Sequence, residues 1–241
     1  MAWKRRTAFY LTLLLCSHSA LAMGKLAIII DDLGYDPLPR QIAHLPKEIA
    51  VSVIPFTPYD TAVALSAYSQ GREVMLHLPM EATPGSPQEP MALMLSMTPR
   101  QITDRIQEAL YRVPHVIAAN NHMGSVFTEN WGAMVTVLRF LKSKGLTFID
   151  SRTSPDSRGL NVASELGMPI LRRNIFLDHQ QDEAFFLSQL EKAIKRAERD
   201  GKCIAIAHPH PLSLTLLTEK LPDITRRVEL VPISTLINGQ K

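Results

Sequence analysis

Eight short apolar, β-branched runs punctuate this chain: Leu26–Ile30, Ile49–Ile54, Glu73–Leu76, Val116–Ala119, Leu146–Ile149, Ile175–Leu177, Cys203–Ala207 and Val228–Ile233. Helical stretches lie between most of them, at about Pro58–Gln70, Pro99–Arg112, Trp131–Ser143, Ser157–Glu165, Asp182–Asp200 and Ser213–Leu221. Neighbouring parallel strands need a crossover long enough to hold a helix, so this alternation reads as repeated parallel βαβ units. It leaves two architectures, an α/β barrel and a doubly wound sheet. The second helix carries its own start signal: Thr98 as N-cap, Pro99 in the first turn and Gln101 three residues after the cap. The sixth is expected to stop before Pro222.

The residues at the strand ends are more specific than the strands themselves. Asp31-Asp32 come after Ile28-Ile29-Ile30, His77 after Val74-Met75-Leu76, and Asn120-Asn121-His122 after Ala118-Ala119. Asp150 comes after Phe148-Ile149, Asp178-His179 after Phe176-Leu177, and His208 after Ile206-Ala207. In parallel α/β folds the carboxyl ends of all strands open on one face, so residues scattered in sequence meet there. Loops in general draw on Gly, Ser, Lys and Glu as well. Six strand ends restricted to Asp, Asn and His therefore select for metal ligation and proton transfer.

Two adjacent carboxylates in a partly desolvated mouth repel each other, and one stays protonated unless a cation neutralises the pair. A divalent metal does so, and His77 and His122 complete an Asp-His-His set with open positions for water, which suits catalytic zinc. Each residue alone has a plainer reading, Asp31 as a helix cap or His77 as a packed core side chain. The set does not.

The first 22 residues read as a secretory signal peptide: Lys4, Arg5 and Arg6, an apolar run from about Ala8 to Leu15, then Ala20-Leu21-Ala22. The apolar run is short for a membrane span, so the expectation is a soluble periplasmic protein with no stable membrane insertion after cleavage, the alternative being an uncleaved anchor. Three of the 26 Lys and Arg, and none of the 23 Asp and Glu, lie in that segment, leaving 23 of each sign from Met23 onward. That balance argues against nucleic acid or an anionic membrane surface as partner. Cys16 and Cys203 are the only cysteines, so no disulfide is expected in the exported chain, and residues 23–241 are long enough to bury one core without such staples.

The residues also carry a resemblance. Asp31-Asp32 resembles the Asp-Asp motif of NodB-like polysaccharide deacetylases, in which the first Asp is the base and the second binds the metal. Gly71 to Glu81 (Gly-Arg-Glu-Val-Met-Leu-His-Leu-Pro-Met-Glu) resembles their second motif, with His77 at the first metal position and Glu81 where a second His stands. Asn120-Asn121-His122-Met123-Gly124-Ser125 stands where an Arg-Pro-Pro-Tyr-Gly-like motif would be, and Ile204 to Pro211 is similar to the last motif, an apolar strand ending in a catalytic His. Ile-Ile-Asp-Asp-Leu-Gly, His-Leu-Pro-Met-Glu, Asn-Asn-His-Met-Gly-Ser, Phe-Ile-Asp-Ser-Arg-Thr and His-Pro-His-Pro, in that order from Ile29 to Pro211, resemble the divergent, YibQ-like branch of those deacetylases.

The resemblance implies a distorted (β/α) barrel of about seven parallel strands in a single domain over 23–241. It also implies a metal-dependent hydrolase that removes an N- or O-acetyl group from an envelope polysaccharide. Asp32, His77 and His122 would hold the cation, Asp31 would be the base and His208 the acid, with His210 an alternative. Asp150 would orient His208 or bridge to the metal shell. Glu81 has three readings: a fourth ligand, an alternative base or a loop carboxylate. The second reading of the whole protein is a deacetylase fold without turnover, serving as a glycan- or partner-binding module. Of the remaining polar candidates, Ser125 lacks a nucleophile elbow and reads as a hydrogen-bonding residue. Asp178 and His179 read either as site residues at a strand end or as capping or packing residues beside the helix that starts at Asp182, and Cys203 reads as a small core side chain.

Overall fold

The structure is a computed structural model that describes residues 23–239, so the expected signal peptide lies outside the described residues. Nine strands form one sheet: β1 (Lys25–Leu33), β2 (Ala50–Val53), β3 (Val74–Met80), β4 (Val116–Met123), β5 (Thr147–Asp150), β6 (Ile170–Arg172), β7 (Ile175–Phe176), β8 (Lys202–Ala207) and β9 (Glu229–Leu230). Helices α1 (Asp60–Ser69), α2 (Pro99–Arg112), α3 (Trp131–Ser143), α4 (Gly159–Glu165), α5 (Glu183–Asp200), α6 (Pro211–Arg227) and α7 (Ile233–Asn238) alternate with them. The order across the sheet is β6-β5-β4-β3-β2-β1-β8-β7, every pair is parallel, and β9 pairs with the start of β1. The two ends of that order, β6 and β7, do not pair with each other, so the sheet curls into a barrel with an open seam.

The expected barrel is present, with eight strands along its path rather than about seven. Ile170–Arg172 is the addition: three residues are too few to show a period, and only pairing with β5 makes them a strand. The expected strand at Val228–Ile233 shrinks to two residues beside Lys25 and Leu26, because β2 takes the same side of β1 from Ile29 onward. The Thr98 capping box forms as expected. Helix α6, in contrast, runs through Pro222 instead of stopping before it. Pro222 lies on the solvent side, and buried Leu214, Leu217 and Ile224 keep the helical spacing across it, so packing outweighs the lost backbone hydrogen bond. No helix among the described residues is long and apolar enough to cross a membrane.

Strand alternation divides the core in two. Leu26, Ile28 and Ile30 of β1 face outward into the layer shared with the helices. Ala27 and Ile29 face inward, where Ala50, Met75, Ala118, Ile149, Ile204 and Ile206 meet them and α7 closes one end with Ile233, Leu236 and Ile237. The same period of two then decides which polar residues enter the barrel mouth. Continuing the inward parity gives Asp31 after Ile29, His77 after Met75, Asn120 and His122 after Ala118, and His208 after Ile206.

Candidate metal centre and catalytic cleft

Asp31, Asp32, His77, His122 and His208 line one cavity of about 370 Å³ at the carboxyl ends of the strands. The parity argument places four of them. Asp32 has the wrong parity and reaches the site because β1 breaks register between Ile30 and Leu33 and Asp32 adopts a left-handed φ of 56°. Aspartate tolerates that conformation better than most residues, and such strain gathers at functional sites. Both motif glycines are required by geometry. A Cβ on Gly34 (φ 122°) would lie 2.3 Å from the Thr57 hydroxyl, and one on Gly124 (φ 86°) 2.9 Å from the Met80 Cβ.

Three ligand atoms converge. Asp32 Oδ1 lies 3.0 Å from His77 Nε2 and 2.9 Å from His122 Nδ1, and the two ring nitrogens are 3.3 Å apart. Ligands at about 2.0–2.1 Å from a tetrahedral zinc sit roughly 3.3 Å from one another, so this triangle fits the donor set of a catalytic zinc site with an open position. The neighbours orient the rings. His77 Nδ1 lies 3.0 Å from the Asn120 carbonyl oxygen, which therefore receives its N–H and leaves the Nε2 lone pair facing the site. Asn120 cannot be turned round, because its amide nitrogen donates to both oxygens of Asp31 at 3.0 and 2.9 Å, and a carboxylate only accepts. The Ser52 hydroxyl donates to the same Asn120 carbonyl at 2.6 Å. On His122 the outer nitrogen, Nε2, faces Glu89 Oε1 at 3.6 Å, and the Tyr35 hydroxyl donates to the other oxygen of Glu89.

Electrostatics separate the two aspartates. Burial pushes the Asp31 carboxyl above its ordinary value, with repulsion from Asp32 adding to it and His77 and Asn120 opposing it. Burial alone would raise Asp32 as well, but hydrogen bonds and charge from His122 and His77 hold it far below the usual carboxylate range. Asp32 thus stays an anion fit to bind a cation, and Asp31 is the more basic of the pair.

His208 is paired with Asp178. Its Nδ1 lies 2.9 Å from Asp178 Oδ1, and its backbone N–H donates to Asp178 Oδ2 at 2.7 Å. Ser213 also donates to that oxygen, and the far nitrogen of His208 points to Asp32 Oδ2 at 3.5 Å. Burial works against charge on His208, but the Asp178 hydrogen bond and the negative charges around it raise its pKa overall. His210, which the sequence left as an alternative, turns its Nε2 toward Gln181 at 3.3 Å instead.

One sequence expectation is corrected and one open choice is decided. Asp150 does not orient His208 or face the metal ligands: its oxygens accept from the Arg152 N–H at 2.8 Å and the Ser157 hydroxyl at 2.7 Å, shaping the loop after β5. The reason is parity, since Ile149 points into the barrel and Asp150 therefore points away from it. Of the three readings of Glu81, the structure favours the loop carboxylate, which accepts from the Leu95 N–H at 2.6 Å across the Pro-rich loop Ala82–Pro90. Alanine at Glu81 is expected to cost about 1 kcal/mol of stability and leave metal content unchanged. Calorimetric melting with elemental analysis checks this, and loss of metal would restore Glu81 as a ligand. Ser52 is a site residue that sequence reasoning missed, and Asp178 and Asn120 were named at strand ends without an assigned role; inward parity on β2, β7 and β4 was the signal for all three. Glu89 had no such signal, because a loop brings it in. Ser125 bonds Thr83, and Cys203 is buried in β8, both as expected.

The comparisons with known proteins bear on the chain's family and its fold. The family model described as divergent polysaccharide deacetylase matches residues 28–237. The chain is 36% identical over 235 residues to the uncharacterized protein YibQ of Escherichia coli K12, covering 97% of this chain and 74% of that one. An uncharacterized protein of Agrobacterium tumefaciens C58 superposes with a TM-score of 0.83 at 23% identity, over 90% of this chain and 91% of that one. A CE4 family pseudoenzyme from Bacillus anthracis superposes with a TM-score of 0.52 at 12% identity, over 89% and 66%. The last two show a shared fold. With its own motifs in order and a family match over most of its length, the chain belongs to the divergent polysaccharide deacetylase family.

Proposed function

We propose that the protein is a metal-dependent deacylase that removes an N- or O-acetyl group from an envelope polysaccharide, and that it works in the periplasm after cleavage of residues 1–22. The observation that carries the reading is the convergence of three ligand atoms within 3.3 Å of one another, beside a buried carboxylate and a carboxylate-paired histidine. Asp32, His77 and His122 would hold the cation. Bound there, a zinc or similar ion would polarise the acyl carbonyl and lower the pKa of a water. Asp31 would accept a proton from the attacking water, with Asn120 fixing both of its oxygens. His208 gives a proton to the departing amine or alkoxide from the nitrogen that faces the cleft. Asp178 keeps the opposite nitrogen protonated and supports the imidazolium. Although burial opposes charge on His208, the Asp178 hydrogen bond and the carboxylates around it shift its pKa upward, toward the acid form.

The test is release of acetate from N-acetylated chitin oligomers and peptidoglycan fragments by zinc-loaded protein, with a chelated sample as control. Metal-dependent release is expected. Its absence on every envelope glycan, with metal bound, would overturn the enzyme reading and favour the binding module, for which the Bacillus anthracis pseudoenzyme provides a fold-level precedent. Export has its own check. N-terminal sequencing of protein from the periplasmic fraction is expected to begin near Met23, and retention of Met1 in a membrane fraction would refute it.

A further inference from the structure

The open seam between β6 and β7 concentrates positive charge in a chain that is otherwise balanced. Two adjoining cavities occupy it, of about 290 and 360 Å³, and they share Arg172, Asn174 and Arg196. Arg152, Arg173 and Lys202 complete the cationic lining, against one lining carboxylate, Asp200. Asp200 is already engaged with Arg196 at 3.3 Å and with Arg199. Among the described residues Arg152, Arg172 and Arg173 make no ion pair; Arg152 and Arg173 spend donors on backbone carbonyls. The buried carboxylates nearby, Asp31 and Asp150, are held by their own partners, Asn120, Arg152 N–H and Ser157. Arg152, Arg172 and Arg173, gathered with no carboxylate paired to them, match the forked geometry of a carboxylate or phosphate.

The seam also adjoins the cleft. Arg173 donates to the carbonyls of Ser151 and Arg152 at 2.6 and 3.0 Å and lies over the Phe176 ring at 4.7 Å. The other side of that contact is the catalytic cavity, which Ser151 and Phe176 line, and Phe176 meets the His208 ring edge-on at 5.0 Å. One side chain, Phe176, therefore separates Arg173 from the proposed acid.

We propose that this seam is an anionic subsite, which holds a carboxylate or phosphate carried by the glycan whose neighbouring acyl group enters the cleft. The substrate class is then an acidic polysaccharide rather than a neutral one. This rests on the deacylase reading for the word substrate, but the anion site itself does not.

Titration calorimetry at low salt separates the two. The probes are oligogalacturonate for carboxylates, inorganic pyrophosphate for phosphate, and uncharged chitotetraose. Arg172→Glu/Arg196→Glu is the variant, since both side chains line the seam and neither belongs to the catalytic set. At least one anionic probe is expected to bind, and the variant to weaken it by about tenfold or more, with metal content and chitotetraose binding unchanged. Whichever anion responds names the chemistry. Should the charge reversal lower the melting temperature, Arg172→Gln/Arg196→Gln is expected to give a smaller loss in the same direction. Failure of both anions to bind, or equal binding by the variants, would overturn the subsite. Arginine-dependent anion binding without acyl release from any glycan would instead keep the subsite and sink the deacylase reading.

Discussion

Asp31→Asn is expected to leave a folded, metal-loaded protein whose acyl release falls by about a hundred- to ten-thousand-fold, the usual cost of a lost general base. Asn keeps the size of the side chain and still offers a carbonyl oxygen to the Asn120 amide, which donates to both Asp31 oxygens at 3.0 and 2.9 Å. It cannot take a proton. Single-turnover release from an acetylated oligomer, read beside metal content and glycan affinity, isolates the loss to chemistry. Complementation supplies the second readout: if an Asp31→Asn variant fully restores a deletion strain, the carboxylate has no catalytic duty and the binding-module reading replaces the enzyme.

The double change His77→Ala/His122→Ala is expected to abolish stoichiometric metal binding and with it the stabilisation that a bound ion confers by mass action. Only Asp32 would then remain of the ligand triangle. Metal analysis after dialysis, with melting curves at graded zinc, measures both effects, and full metal content in the double variant would refute the assignment. The wild-type site should also show a definite pH dependence. Burial disfavours charge on His77, but Asp31 and Asp32 beside it raise its pKa from 6.5 to about 9 in the metal-free protein. A proton on that ring stabilises the metal-free fold fully below 6.5, and this contribution is lost as pH rises through about 9. The metal needs the neutral ring, so zinc affinity is expected to climb across the same interval and level off above it. Affinity that is flat with pH would show that His77 is not a ligand.

Much of this was legible in one dimension. Short β-branched runs alternating with helices can only be parallel βαβ units, and strand ends restricted to Asp, Asn and His identify the working face. Asp31, Asp32, His77, His122 and His208 all meet there. The alternation within each strand was equally present in the sequence and says more than strand ends alone. It sends Asp178 inward behind Phe176 and Asp150 outward behind Ile149, which is why the partner of His208 is Asp178.

Other features depend on contacts that no local pattern encodes. Whether Ile170–Arg172 is a strand depends on β5 being beside it, and whether α6 survives Pro222 depends on the core that Leu217 and Ile224 fill. Asp32 enters the cleft only through a broken register and a left-handed backbone. Glu81 and Glu89 lie at the two ends of one Pro-rich loop, and closure of that loop turns the first carboxylate to Leu95 and the second to His122. Period and residue type determined by themselves the parallel α/β class, the face and most of the candidate ligands, because strand geometry is a local property of the chain. The choice of a barrel came from the resemblance and the pairing of distant strands. The direction of loop carboxylates and the unpaired seam between β6 and β7 were decided by tertiary structure, because they depend on which distant segments close on one another.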